Sequence, residues 1–187
     1  MDKKGKKQFL GFTLACLALS APGIAQSEKL IDYVNPFVGT DGYGNVYPGA
    51  QIPFGGIQIS PDTNHRFYDA ASGYKYNHTS LMGFSLTHLS GTGIPDLGDF
   101  LFMPGTGEAK LTPGTPENPD EGYRSRYSHE REQATPNYYT VHLVRLRGEG
   151  RNEPRACVAA CYRFTYPKAE KAFILIDLNH TLWQSCE

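Results

Sequence analysis

Residues 138–146 read YYTVHLVRL, and the spacing of their side chains decides the fold class. Tyr139, Val141 and Leu143 fall on one face, and Tyr138, Thr140 and His142 on the other. A period of two is what a half-buried β-strand requires. Working outward, Gln51 to Ser60, Phe100 to Met103, Val158 to Tyr166 and Ala172 to Leu178 are also rich in β-branched and aromatic residues, and each is expected to be a strand. In the last of these, Phe173, Leu175 and Asp177 alternate with Ile174, Ile176 and Leu178, so both faces are largely apolar, as in a central strand. No segment after the N-terminus sustains a helical period. Strands separated by Gly and Pro turns predict an all-β fold, a β-sandwich.

Between Gly105 and Tyr127 the texture changes to GTGEAKLTPGTPENPDEGYRSRY, with Pro113, Pro116 and Pro119. Each proline would cost a ladder hydrogen bond inside a sheet, so a loop with at most a short strand is expected. The 187 residues suit one domain, and a formal net charge of −1 gives no electrostatic case for nucleic acid. With 40% hydrophobic and 12% aromatic residues, the chain can fill a core.

The N-terminus reads as an export signal. Lys3, Lys4, Lys6 and Lys7 precede an apolar run from Phe9 to Leu19, and Gly23-Ile24-Ala25 supplies small residues for cleavage after Ala25, giving a signal peptide over residues 1–25. The apolar run is too short to cross a bilayer, which takes about 20 residues, so no transmembrane segment is expected. A lipoprotein signal ending at Cys16 is the alternative, although Thr13 stands where a branched apolar residue is usual. Either way the mature product is exported, to the periplasm or beyond. Cleavage after Ala25 leaves Cys157, Cys161 and Cys186. On an extended strand the first two lie too far apart for a disulfide, and neither has a ligand-spaced partner for a metal. Incidental thiols are the simplest account.

The stretch VNPFVGTDGYGNVYPGAQIPFGGIQISPDTNHR, Val34 to Arg66, is dense in Gly, Pro and aromatics without being low-complexity. Such a run builds rigid irregular loops, where binding residues concentrate. A second stretch, SGYKYNHTSLMGFSLTHLSGTGIPDLGDFLFMP, runs from Ser72 to Pro104, and TPNYYTVHLV and YRFTYPKAEKAFILIDLNH follow. Together they resemble the N-terminal β-sandwich domain of the family 92 glycoside hydrolases, calcium-dependent exo-acting α-mannosidases. The resemblance covers nearly everything after Lys29, with the sandwich over residues 29–182. It implies a fragment ending where that family's catalytic α/α barrel would begin: a truncated gene, a pseudogene or a split reading frame.

The resemblance also implies site residues. In YDAASGYKY, Tyr68 stands at a usual Trp, Asp69 at the Asp and Ala71 at a usual Cys, while Ser72-Gly73-Tyr74 match outright. These residues would line the sugar pocket, with Tyr68 stacking on a sugar face; core packing is the plainer role for that ring. In THLSGTG, His88, Ser90 and Thr92 could hydrogen-bond sugar hydroxyls, and Gly91 and Gly93 would let the backbone approach closely. Ile94-Pro95 replace a usual Cys-Ser. The alternative for this loop is a turn closed by bonds from Asp96 and Asp99. The substrate-binding set is therefore Tyr68, Asp69, Ser72, Gly73, His88, Ser90 and Gly91, acting on mannose-containing glycans. No catalytic residue is expected in the chain, because the resemblance places the acid, the base and the calcium ligands in the helical domain. His65, His78 and His88 fit no metal-ligand spacing, and Asp69, Asp96 and Asp99 are not read as glycosidic carboxylates. Asn137 stands where Gly is usual; Asn tolerates positive φ.

One segment, 145–157, fits poorly. Arg145 to Arg155 reads RLRGEGRNEPR, an implausible strand interior. Codons for its first eight residues can be chosen so that dropping one base reads Asp-Tyr-Gly-Val-Lys-Ala-Glu-Met, which is strand-like and resembles the family. A one-base insertion after Val144, with frame restored near Cys157, and a basic surface loop are both open. The rivals to the broken mannosidase are a free-standing carbohydrate-binding sandwich, which should close its own core, and a structural or adhesion sandwich.

Overall fold

A computed structural model describes residues 29–63, 69–146, 155–158 and 161–182. The signal peptide over 1–25 with Cys16, the site candidate Tyr68, His65, Cys186 and most of the arginine-rich segment lie outside the described residues. Among those described, the strands in chain order are β1 (Ala50–Gln51), β2 (Gln58–Asp62), β3 (Ser80–Leu81), β4 (Gly83–Ser85), β5 (Thr87–His88), β6 (Leu97–Gly98) and β7 (Leu101–Thr106). Then come β8 (Ser125–Arg126), β9 (Glu132–Thr135), β10 (Tyr138–His142), β11 (Arg155–Val158), β12 (Tyr162–Thr165) and β13 (Ala172–Asp177). Among these described residues helical structure is confined to single 3₁₀ turns. The all-β expectation holds.

A five-stranded sheet runs β1-β2-β4-β7-β13, and a four-stranded sheet runs β12-β11-β10-β9, all pairs antiparallel. Their inner faces meet through aromatic rings. Phe84 on β4 lies 6.3 Å from Tyr139 and 6.2 Å from Phe164, and Phe102 on β7 lies 4.8 Å from Tyr162. These are separations at which offset and edge contacts are favourable. The predicted inward face of β10 is buried completely: Tyr139, Val141 and Leu143 expose at most 1%.

The structure corrects four local expectations. Only the ends of Gln51–Ser60 are strand, because residues 52–57 form a loop whose Phe54 adopts a φ of 60°. Val158 to Tyr166 is not one strand: β11 ends at Val158 and pairs antiparallel with β12 from Val158↔Tyr162, with Cys161 exposed. Among the described residues β13 lies at the edge of its sheet, with Ile174, Ile176 and, just beyond it, Leu178 exposed by 48, 53 and 68%. Asn137 is not in the left-handed region, since Pro136 sets a two-residue turn with an ordinary backbone between β9 and β10. The loop from Gly105 to Tyr127 carries the end of β7, one 3₁₀ turn at Pro119–Glu121 and the two-residue β8, the short strand allowed for.

The arginine-rich segment begins as a packed turn. Val144–Leu146 is 3₁₀, Leu146 is fully buried, and the Arg145 guanidinium donates to the carbonyls of Gly122 and Arg124. At its other end residues 155–157 belong to β11, which pairs with β10 in register from Tyr139↔Val158 to His142↔Arg155.

One polar island interrupts the core. The Glu132 carboxylate on β9 accepts from the phenols of Tyr74 at 2.9 Å and Tyr139 at 2.5 Å, and meets His129 Nδ1 at 2.6 Å. Burial first, then neighbouring charge including Glu132, pushes both phenols far above the usual range. Both therefore remain donors, which is how a buried carboxylate stays satisfied.

Candidate functional site

The site is assembled where β2 ends, because the two glycine-rich stretches fold back onto that end. Thr63 N donates to Gly73 O at 2.7 Å, and Gly73, with φ of 87°, packs so closely that an added Cβ would lie 2.2 Å from Asp62 Oδ1. Only glycine fits there. The other stretch leaves β4, makes the short β5–β6 hairpin (His88↔Leu97) and is tied to the opening loop by Gly91 N donating to Asn45 O at 2.7 Å. Tyr47 packs on His88 with ring centres 5.2 Å apart. Beside this junction lies an open hollow of about 480 Å³, walled by Val34, Val38, Tyr47, Ile52 and Pro136 among others, with Ser90 at its rim.

The expected site residues divide sharply by exposure. Ser90 and Gly91 are exposed, and Asp69 is partly so, with its carboxylate 2.6 Å from Lys75 Nζ and 3.3 Å from His78 Nε2. Burial is the main cause holding the His78 imidazole below its usual range. Ser72, Gly73 and His88 are buried. Ser72 Oγ has no hydrogen-bond partner among the described residues. His88 cannot present a nitrogen to a sugar, because both are engaged inside the protein: Nδ1 lies 2.6 Å from Gln58 O, and Nε2 lies 2.8 Å from Asp62 Oδ1. The carboxyl's other oxygen, Oδ2, takes His180 Nε2 at 2.7 Å. Burial alone would raise the Asp62 carboxyl, but the His88 charge and the hydrogen bonds from His180 and His88 outweigh it and hold it far below the usual range.

Asp62 and His180 are the residues that sequence reasoning missed. His180 is 118 positions away from its partner, and an aspartate in a strand carries no sign of burial. Ser85 Oγ lies 3.1 Å from His88 Nε2, so Ser, His and Asp are together. They are not a hydrolytic triad, which needs serine and carboxylate on opposite ring nitrogens. Here both meet Nε2, and the side chains are sealed from solvent.

The 97–100 stretch is backbone-strained. Leu97, Gly98, Asp99 and Phe100 have φ of 70, 110, 45 and 48°. Asp96 Oδ1 accepts from Leu97 N at 2.8 Å and Asp99 Oδ2 from Thr87 Oγ1 at 2.8 Å, which is the turn chemistry set against the sugar reading of this loop.

Comparison with known proteins decides the family. The family model described as the glycosyl hydrolase family 92 N-terminal domain matches residues 33–187. The chain belongs to this family. A family 92 α-mannosidase from Bacteroides thetaiotaomicron, solved in complex with mannoimidazole, shares 72% identity and superposes with a TM-score of 0.77, covering 86% of this chain and 21% of its own. A family 92 inverting mannosidase from the same organism is 26% identical with a TM-score of 0.60, covering 81% of this chain and 20% of its own. An uncharacterized secreted glycosidase from Arthroderma benhamiae is 34% identical over 82 residues, 43% of this chain and 10% of that protein. This family 92 domain thus spans about a fifth of the mannosidases it matches. Among its described residues no helix is long and apolar enough to cross a membrane.

Proposed function

We propose that the chain is the N-terminal sandwich, residues 29–182, of an exported α-mannosidase-type glycosidase, and that it supplies one wall of a mannose pocket whose acid and base stand on another domain. The observation that carries this reading is the 72% identity to a mannosidase solved with mannoimidazole. Asp69, Ser90 and Gly91 are the residues of the expected set able to meet a glycan, and Tyr68 would join them from the adjoining loop. Ser72, Gly73 and His88 support them from beneath. Export would depend on the signal over 1–25, with lipid attachment at Cys16 as the variant route.

The complete reaction would be inverting: an acid protonates the leaving oxygen while a base activates water on the opposite face, the two carboxyl groups about 6.5–9.5 Å apart. The carboxylates of Asp62 and Asp69 are held by histidine or lysine partners. Calcium, which the family resemblance assigns to the complete enzyme, needs six or more oxygen ligands. The described residues form no cluster of three or more acidic, His or Cys side chains fit to hold a metal, so no role for it is derived from them.

The test is a domain exchange. Residues 29–187 replace the matching segment of the Bacteroides mannosidase, and hydrolysis of an aryl α-mannoside is measured. The hybrid should turn over substrate, and Asp69→Ala or Ser90→Ala within it should raise KM more than they lower kcat. A folded, inactive hybrid would sink the reading. Mannoside binding by the unfused chain at the affinity of a self-sufficient module would favour the free-standing carbohydrate-binding alternative.

A further inference from the structure

We propose that Asp62, His88 and His180 form a buried ionic clamp, with both His88 ring nitrogens protonated, that positions the 87–100 segment and its strained end at 97–100. They are positioning residues for the sugar wall proposed above, and that functional consequence rests on the same reading.

The proton count follows from the partners. Gln58 O can only accept, so Nδ1 must donate to it across 2.6 Å. Nε2 faces a carboxylate oxygen at 2.8 Å, and the other carboxylate oxygen already receives His180 Nε2 at 2.7 Å. With His88 and Asp62 both sealed from solvent, an unprotonated Nε2 facing an ionised oxygen would be strongly repulsive.

The clamp joins three places in the chain: β2, β5 and the segment after β13. That last segment grips the strained stretch directly. Leu182 N donates to Leu97 O at 2.8 Å, Gly98 bridges Thr181, and a Cβ at Gly98 would lie 3.1 Å from the His180 ring. On the other side Leu86 N donates to Gly98 O at 3.0 Å, and His88 itself pairs with Leu97. Left-handed residues other than glycine persist only where their surroundings enforce them. Ser90 and the exposed ring of Phe100 are carried on the segment so held.

The full 187-residue chain, its His180→Asn variant and its Asp62→Asn variant are compared by hydrogen exchange at micromolar concentration. Losing His180 from the edge of the clamp should speed exchange at the amides of Leu86 and Leu182 by about tenfold, with Tyr139 and Val141 unchanged. Exchange that rises everywhere alike, or nowhere, would overturn the clamp. Histidine-selective ¹⁵N spectra should show protons on both His88 ring nitrogens at neutral pH; a ring with one proton would overturn the ionic assignment. Should Asp62→Asn fail to fold, His180→Asn carries the test. None of these readouts involves a sugar, so a clamp that is seen while the domain exchange fails separates this inference from the proposed function.

Discussion

At the scale of single residues, the molecule concentrates its exacting chemistry around Asp62. A carboxylate paired on both oxygens has a folded pKa below its unfolded value, so its stabilisation is present above the unfolded value of about 4 and is lost as pH falls through the folded one. Urea titrations should therefore show stability declining below about pH 4, and the decline should be shallower in Asp62→Asn, whose plateau stability is lower by roughly 1–3 kcal/mol because the amide can accept from only one of the two imidazoles that share the carboxylate. Identical acid slopes in the two proteins would refute the assignment. Gly73→Ala provides a second check. The new methyl meets Asp62 Oδ1 at 2.2 Å and the backbone sits at φ of 87°. A loss of about 2–4 kcal/mol is expected from left-handed strain plus overpacking, and thermal melting near wild type would contradict the packing described.

At the scale of elements, the two sheets differ in how they end. The four-stranded sheet buries one face of β10 entirely, whereas β13 closes the five-stranded sheet among the described residues with Ile174 and Ile176 half exposed. An apolar strand at an open edge pairs readily with other chains, and an inserted lysine is the usual protection. Ile176→Lys should reduce concentration-dependent light scattering while changing stability by no more than about 0.5 kcal/mol. Unchanged scattering would show that aggregation starts elsewhere. β13 has the pattern of a central strand and yet meets no further neighbour among the described residues, because an apolar alternation on both faces reports what a strand could bury, not which neighbour arrives to bury it.

At the scale of the whole molecule, the loops opening the sandwich leave large apolar side chains uncovered. Val38, Ile52, Phe54 and Ile57 expose between 54 and 105%. The hollow beside Ser90 and the apolar pocket under residues 55–57 share Ile52 and Gln51, so the surface is continuous. Large exposed apolar patches mark interfaces. The 187-residue chain should self-associate on concentration, as read by sedimentation velocity, and Phe54→Ser should lower the association. The same preparation should release no product from aryl α-mannosides with or without calcium. A monomer that melts cooperatively would move the assignment toward a free-standing module.

Local pattern alone made the all-β class, the buried face Tyr139-Val141-Leu143 and the Gly-rich loops legible, because a two-residue period and turn chemistry are properties of neighbouring residues. Sequence resemblance carried the family. The interior of Gln51–Ser60, the hairpin hidden in Val158–Tyr166 and the burial of His88 were not legible, because each depends on partners far along the chain. His88 reads as a polar residue in a glycine-rich loop, and its ring is occupied inside the fold only because Asp62 arrives at Nε2 while His180, 118 residues from Asp62, takes the carboxylate's other oxygen. Propensity and periodicity act over a few residues, whereas desolvation and charge pairing belong to whatever the folded chain brings together; the second kind of interaction decided which of the expected site residues face outward.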